Sequence, residues 1–285
     1  MIEILKIKEV EALIDLAIKE DVGNGDHTSL ACIPTQSQGQ AYCIAKQQGI
    51  LAGLPLAEYI FKKIDETLRF EPLKNDGDEI QNGDIIFNVF GSDISILTAE
   101  RTVLNFLQRL SGIATQSKEY ANLVKGMHTK ILDTRKTTPG LRHLEKYAVT
   151  VGGCFNHRIG LYDMILIKDN HVDFAGGITK AIHQTLQYLK NNNLNLKIEI
   201  ETRNLSEVKE VLDVGGINRI MLDNFSPELL QEAIDLIAGR FETEASGGIT
   251  KETLPLYAQT GVDFISVGAL THSSKSIDLS LRAIK

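Results

Sequence analysis

The sequence predicts an α/β protein made of an N-terminal α+β sandwich-like lobe and a parallel α/β barrel, and three observations predict it. From about Ser111 onward, short apolar runs alternate with helical patterns of roughly ten to fifteen residues across polar or glycine-bearing steps, the punctuation of βα units. Residues 1 to about 110 lack that rhythm. The apolar runs also end, one after another, in residues able to hold an anion or a metal, and C-terminal strand ends are where barrel enzymes build their sites.

In the lobe, the pattern predicts a helix over 7–19, strand-like stretches over 38–52 and 85–90, and an apolar-periodic helix over 54–65. Asn75-Asp-Gly-Asp78 and Gln81-Asn-Gly-Asp84 are turn chemistry. No Pro- or Ser-rich linker marks the boundary, which places it inside the helical stretch Thr98 to Val124. The expected domains are 1–110, a barrel over 111–270, and a C-terminal helix at 271–285 packing back on the N-terminal domain. The barrel strands are read at Lys130–Asp133, Met164–Ile167, Leu196–Ile200, Arg219–Leu222, Phe241–Ala245 and Asp263–Val267. Most are short and apolar or β-branched, as strands buried on both faces should be; the fifth is assigned by its position. Asn204 with Glu207 resembles a capping box, and Ser226-Pro227 sets a cap before a proline at the first helical position.

Composition narrows the class of function. With 285 residues there is room for two domains or a barrel with an added lobe. The N-terminus mixes charges into its apolar residues and so lacks the form of a secretory signal, and no apolar run is long enough to span a bilayer, so a soluble protein without a membrane partner is expected. Three cysteines, Cys32, Cys43 and Cys154, fit neither a disulfide framework nor a zinc site and point to a reducing cytoplasm. The net charge of -7 disfavours nucleic acid as a partner. Within this acidic chain, residues 130–171 carry seven Lys and Arg against four Asp and Glu, an island suited to steering a small polyanion. The alternative is a solvated charged face.

The island holds Arg135, Lys136, His157, Arg158 and Lys168. Arginine offers a planar fork to carboxylate or phosphate and lysine a compact point charge, so together they suit a dicarboxylate and a pyrophosphate. For His157 a satisfied structural histidine is the alternative. Glu201 and Asp223 are acids at strand ends, suited to Mg²⁺, directly or through water, and to a ribose; helix capping is the other reading of Asp223. Glu199, two residues from Glu201, shares its strand face and is expected as a partner behind it. Gly247 and Gly248 precede a helix expected near Thr250, and Gly268 follows the next strand, so backbone amides and a helix N-terminus can face a phosphate. Ser246-Gly-Gly is by itself equally a tight turn.

These residues belong to nine ordered blocks: Glu20-Asp-Val-Gly-Asn-Gly-Asp-His-Thr28, Glu100-Arg101 with Leu104-Asn105, Asp133-Thr-Arg-Lys-Thr-Thr-Pro-Gly-Leu-Arg142, Glu145-Lys-Tyr-Ala-Val149, Asn156-His-Arg158, Lys168-Asp-Asn-His171, Leu222-Asp-Asn224, Glu244-Ala-Ser-Gly-Gly248 and Gly268-Ala-Leu-Thr-His-Ser273. Across nearly the whole chain they resemble the type II phosphoribosyltransferases, and among them the quinolinate-using group. That resemblance implies an open, incomplete α/β barrel in a homodimer, or a higher oligomer, with Arg101 reaching the neighbouring subunit's site. It implies quinolinate and phosphoribosyl pyrophosphate as substrates and Mg²⁺ as cofactor, in NAD biosynthesis. Thr134, Arg135, Lys136, His157, Arg158 and Lys168 would bind quinolinate and the phosphates, and Glu201 and Asp223 would serve the Mg²⁺ and ribose end. Ser246, Gly247, Gly248, Ser266, Val267 and Gly268 would surround the 5′-phosphate, with His272 nearby. Lys136, Glu201 and Asp223 are the expected catalytic residues. One departure stands out: Gly152-Gly153-Cys154 replaces a run of three glycines, and cysteine tolerates positive φ poorly, so a local remodelling is expected there.

Rival readings are a type II phosphoribosyltransferase for nicotinate or of the molybdenum-transport kind, a barrel lyase using Lys136 or Lys168 as a Schiff-base nucleophile, and a silent anion-binding protein.

Overall fold

The computed structural model describes residues 3–284. In chain order its elements are α1 (Lys8–Val22), α2 (His27–Cys32), β1 (Gln38–Ala45), β2 (Gly49–Ile50), α3 (Leu54–Ile64), β3 (Arg69–Pro72), β4 (Glu79–Ile80), β5 (Ile85–Ser92) and α4 (Asp93–Leu123). There follow β6 (Lys130–Leu132), α5 (Arg142–Val151), β7 (Ile165–Ile167), α6 (Asp169–Ala175), α7 (Ile178–Asn191), β8 (Ile198–Thr202), α8 (Leu205–Val214), β9 (Arg219–Asp223) and α9 (Pro227–Ile237). The chain closes with β10 (Glu242–Ser246), α10 (Leu254–Ala258), β11 (Phe264–Ser266), α11 (Ala269–His272) and β12 (Leu279–Ile284). The six barrel strands fall where the apolar runs put them, within two residues at each end. The cap at Ser226 forms, its side chain accepting from the Leu229 amide at 3.3 Å, and that at Asn204 accepts from Glu207 at 3.0 Å.

The chain divides into two compact units. The first comprises the described residues of Met1–Lys118, Thr137–Gly153 and Ala269–Lys285. Its antiparallel sheet has the order β12-β1-β5-β3, with a bulge in β1 at Cys43/Ile44, and β2 and β4 pair separately. α3 buries Leu54, Leu56, Ala57, Ile60 and Phe61, and Phe61 meets Phe87 edge-on with ring centroids 5.8 Å apart, a favoured aromatic geometry.

One expectation is corrected in this unit. The C-terminal segment does reach the N-terminal domain, but as strand β12 and not as a helix, pairing with β1 from Gln40↔Ile284 to Ala45↔Leu279. The open edge of β1 offers a full backbone ladder, which outweighs local helix propensity over so short a segment. Compactness cuts the chain elsewhere than at 110/111: the division between units falls after Lys118 inside α4, and residues 137–153 belong to the first unit. They are tied there by Tyr147 Oη donating to Asp76 at 2.6 Å and by the Arg109 guanidinium on the buried Glu145 carboxylate at 2.7 Å, both partners distant in sequence. Such ties are invisible to a pattern that reads only neighbours along the chain.

The second unit comprises Glu119–Lys136 and Cys154–Gly268. Its six parallel strands run in the order β6-β11-β10-β9-β8-β7, so β6 and β7 are edges and the sheet is open. Phe155 lies along the outer edge of β6, its amide donating to Ile131 O at 2.8 Å while the Asp133 amide donates to Phe155 O at 3.0 Å. Register places Glu199, Arg219 and Glu242 level, then Glu201, Met221, Glu244 and Phe264, then Asp223 and Ser246. Because side chains alternate along a strand, all of these share one face, the inside of the barrel. The opposite face carries Ile198, Ile200, Ile220, Leu222, Ala245 and Ile265, all buried. Among the described residues no helix is long and apolar enough to cross a membrane.

Candidate active site

The inward face of the second unit is charged from end to end, and its upper layer lies at the C-terminal strand ends. Asp223 accepts from the Ser246 hydroxyl and, through its other oxygen, from Asn224 Nδ2 at 2.6 Å. Asn224 takes a left-handed φ of 58° and its amide donates to Ser246 O at 2.9 Å, locking the two strand ends together. Gly247 follows at φ 95°, and a Cβ there would collide with the Asn224 side chain, so only glycine fits. No residue among those described takes up the Gly247 or Gly248 amide, which leaves both for a ligand. Glu201 is 7% exposed, and Lys168 Nζ donates to it at 3.3 Å. The Lys168 amide in turn donates to His171 Nδ1 at 2.9 Å, holding the start of α6.

Further cations lie on the segments after β6 and before β7 of the same unit. Arg135 and Lys136 are exposed in the segment after β6, where the Lys136 amide donates to Thr134 Oγ1 at 3.0 Å. Arg158 is 9% exposed and donates from Nη1 to Met164 O at 3.0 Å. Burial, and then the neighbouring Arg135 guanidinium, push the Arg158 pKa below its ordinary value. Two arginines held this close, one of them desolvated, form a site whose repulsion an anion relieves.

Behind these strand ends, on the same face, lies a buried acidic set. Glu199 and Glu244 are fully buried, and His157 Nε2 lies 3.0 Å from Glu199 Oε2 and 3.5 Å from Glu244 Oε2. Arg219 donates to Glu244 at 2.8 Å and to Glu242 at 3.1 Å while stacking on Phe264, its guanidinium carbon 3.9 Å from the ring centroid. Both oxygens of Glu199 and Oε1 of Glu244 are buried without a well-aligned donor, and Arg219 Nη1 stands 4.0 Å from Glu199. Burial, then the Glu199 charge, push Glu244 up to about 8; burial, eased by Arg219, pushes Glu199 up to about 7.

Two family models match consecutive stretches of the chain: the quinolinate phosphoribosyl transferase N-terminal domain over residues 26–111 and the C-terminal domain over 113–282. The chain belongs to the quinolinate phosphoribosyltransferase family. It is 47% identical over 289 aligned residues to quinolinate phosphoribosyltransferase [decarboxylating] 2b, mitochondrial, of Nicotiana tabacum, covering 96% of this chain and 82% of that protein. It is 43% identical to a probable nicotinate-nucleotide pyrophosphorylase [carboxylating] of Bacillus subtilis, over 96% of this chain and 93% of that one. Among solved structures, the nicotinate-nucleotide pyrophosphorylase of Francisella tularensis superposes with a TM-score of 0.91 at 40% identity, covering all of both chains. NadC from Streptococcus pyogenes gives a TM-score of 0.91 at 39% identity, over 97% of this chain and 98% of that one.

Set against this family fold, the second unit brings together Thr134, Arg135, Lys136, His157, Arg158, Lys168, Glu201, Asp223, Ser246, Gly247, Gly248, Ser266, Val267 and Gly268. Arg101, on α4, and His272, on α11, belong to the first unit, where both are exposed. The Val267 amide is taken by Leu132 O at 2.9 Å, and the Ser266 hydroxyl hydrogen-bonds the buried Glu244. Three details differ from the sequence reading. No helix starts near Thr250: residues 251–253 form a turn and α10 begins at Leu254, so the glycine amides, and not a helix N-terminus, are what can meet a phosphate. Glu199 partners His157 and not Glu201. Cys154 needs no remodelled loop: the positive φ, 92°, falls on Gly153, and Cys154 is buried with its thiol pushed up to about 12 by burial. Sequence reasoning overlooked Glu244, Arg219 and Glu242, although their alternation in β9 and β10 was the available signal.

The raised Glu244 has a consequence for stability. Its folded pKa lies above the ordinary 4.5, so its favourable contribution is whole below about pH 4.5 and is lost as pH rises through about 8. Glu244→Gln removes that titration. Urea unfolding between about pH 5 and pH 8 is expected to show a loss of stability in the native protein that is shallower in the variant, by up to about 1.4 kcal/mol per pH unit. Identical slopes would show that Glu244 stays ionised.

Proposed function

We propose that the open barrel of the second unit joins quinolinate to phosphoribosyl pyrophosphate and releases CO₂ and pyrophosphate, leaving nicotinate mononucleotide for NAD biosynthesis. The observation that carries this reading is the pairing of a crowded cation set, Arg135, Lys136, Arg158 and Lys168, with two acids at strand ends, Glu201 and Asp223. Arg135 and Arg158 clamp the carboxylates of quinolinate and so aim its ring nitrogen at the anomeric carbon. As the nitrogen–carbon bond forms and the carbon–oxygen bond to pyrophosphate breaks, Asp223, oriented by Ser246 and Asn224, stabilises the positive charge that develops on the ribose. Lys136 and Lys168 take up negative charge on the leaving pyrophosphate, and the Gly247 and Gly248 amides hold the 5′-phosphate. Ribosylation makes the ring nitrogen cationic; the bond from ring carbon 2 to its carboxylate then breaks, its electron pair stays on the ring, CO₂ departs and a proton replaces it.

Glu201 and Asp223 fit Mg²⁺ as the cofactor. They supply oxygen donors only and are too few for a full cage, which leaves positions for phosphate oxygens and water. Bound there, Mg²⁺ would neutralise charge on the pyrophosphate. A homodimer is the working assembly: Arg101 is exposed, and among the described residues no hydrogen bond or ion pair engages it, so it is available to a second copy's site. Three free cysteines suit a reducing compartment, the cytoplasm.

The test is release of ¹⁴CO₂ from carboxyl-labelled quinolinate with phosphoribosyl pyrophosphate and Mg²⁺ each present, omitted or, for the metal, chelated. Release that needs both is the expected result. Pyrophosphate formed from nicotinate without CO₂ release would keep the fold and the transfer chemistry and overturn the substrate.

A further inference from the structure

The imidazole of His157 points away from the mouth of the barrel, into its interior. Its side chain is 7% exposed, and its ring nitrogens lie close against buried neighbours. The His157 amide donates to the fully buried Asp133 at 2.9 Å. Nδ1 accepts from the Arg158 amide at 2.7 Å, so the ring proton sits on Nε2. Nε2 faces Glu199 on β8 and Glu244 on β10, at 3.0 and 3.5 Å. The residue thus starts beside β6, at one edge of the open sheet, and its ring ends in the interior against β8 and β10, so a side chain reaches across the inside of the barrel to strands that do not pair with β6.

We propose that Glu199 and Glu244 are positioning residues that hold His157 as a neutral Nε2–H imidazole, and that this tie fixes the backbone from which Arg158 is presented to the carboxylates of the substrate. The role of Arg158 rests on the function proposed above; the tie does not. His157 is then a peg and not one of the cations that bind quinolinate. Its ring and the two carboxylates are also close enough to be read as a metal cluster. A cation there would need the Nε2 lone pair, and with Nδ1 already accepting from Arg158 that nitrogen carries the proton instead. Arg219, 2.8 Å from Glu244, supplies the compensating positive charge.

The tie predicts a spectroscopic signature and a kinetic one. In ¹⁵N-histidine-labelled protein, long-range ring correlations report which nitrogen is protonated, and the His157 signals are assigned by their loss in His157→Gln. A neutral Nε2–H ring at about pH 7.5 is expected. Glu199→Leu and Glu244→Leu remove the acceptors and are expected to raise the KM for quinolinate about tenfold with kcat within about threefold of the native value. Glu199→Gln and Glu244→Gln keep a carbonyl acceptor and are expected to restore KM to within about threefold. An Nδ1–H or imidazolium signature, equal defects in the Gln and Leu variants, or a tightly held stoichiometric metal in the purified protein would each overturn the assignment. Should the Leu variants fail to fold, the native spectrum and the Gln variants decide. Should the native protein release no CO₂, the function falls while the spectrum still decides the tie.

Discussion

Asp223→Asn is expected to slow CO₂ release by about two to three orders of magnitude at saturating substrates, with little change in thermal midpoint. Asparagine keeps the size of the side chain and one oxygen able to accept from the Ser246 hydroxyl, so the coupling of the β9 and β10 ends through Asn224 survives. What is lost is the negative charge that faces the developing positive ribose and one of the two acids suited to Mg²⁺. A carboxylate acting on charge that exists only in the transition state is read in kcat more than in KM. Single-turnover measurement of CO₂ release isolates that step. A rate within about threefold of the native one would remove Asp223 from the chemistry and return it to a role at the strand end.

Arg135→Ala is expected to weaken quinolinate binding by about 10- to 150-fold, the equivalent of one charge-assisted pair of about 1.5 to 3 kcal/mol. Because Arg135 is exposed, its removal is expected to leave stability within about 0.5 kcal/mol. It has a second effect through its neighbour: relieved of Arg135, the desolvated Arg158 loses one of the two influences that hold its pKa down. Titration calorimetry with quinolinate reads the affinity directly, and raised salt is expected to weaken the native protein more than the variant. Unchanged affinity would place the carboxylate clamp on Arg158 and Lys168 alone.

Much of the fold was legible because its signals are local. Runs such as Met164-Ile-Leu-Ile167 are short, apolar and bounded by polar residues, and each became a barrel strand whose C-terminal end carries Lys168, Glu201, Asp223 or Ser246. β12 was not legible, since Leu279–Ile284 carries no mark of which edge it will join, and pairing with β1 lies more than 230 positions away along the chain. The same holds for residues 137–153, whose membership of the first unit depends on Arg109 and Asp76.

By itself, the sequence determined the βα rhythm, the cationic island and the order in which acids and glycines reach the strand ends, because periodicity and strand termini are properties of neighbours along the chain. Only the tertiary structure decided which way His157 faces, and that Glu199 serves it and not Glu201. It alone revealed that Glu244 and Arg219 complete a buried charged layer beneath the site. The physical reason is register: parallel strands bring Glu199, Arg219 and Glu242 level across three segments, and a group buried among charges takes its partners, its proton and its role from residues no sequence window contains.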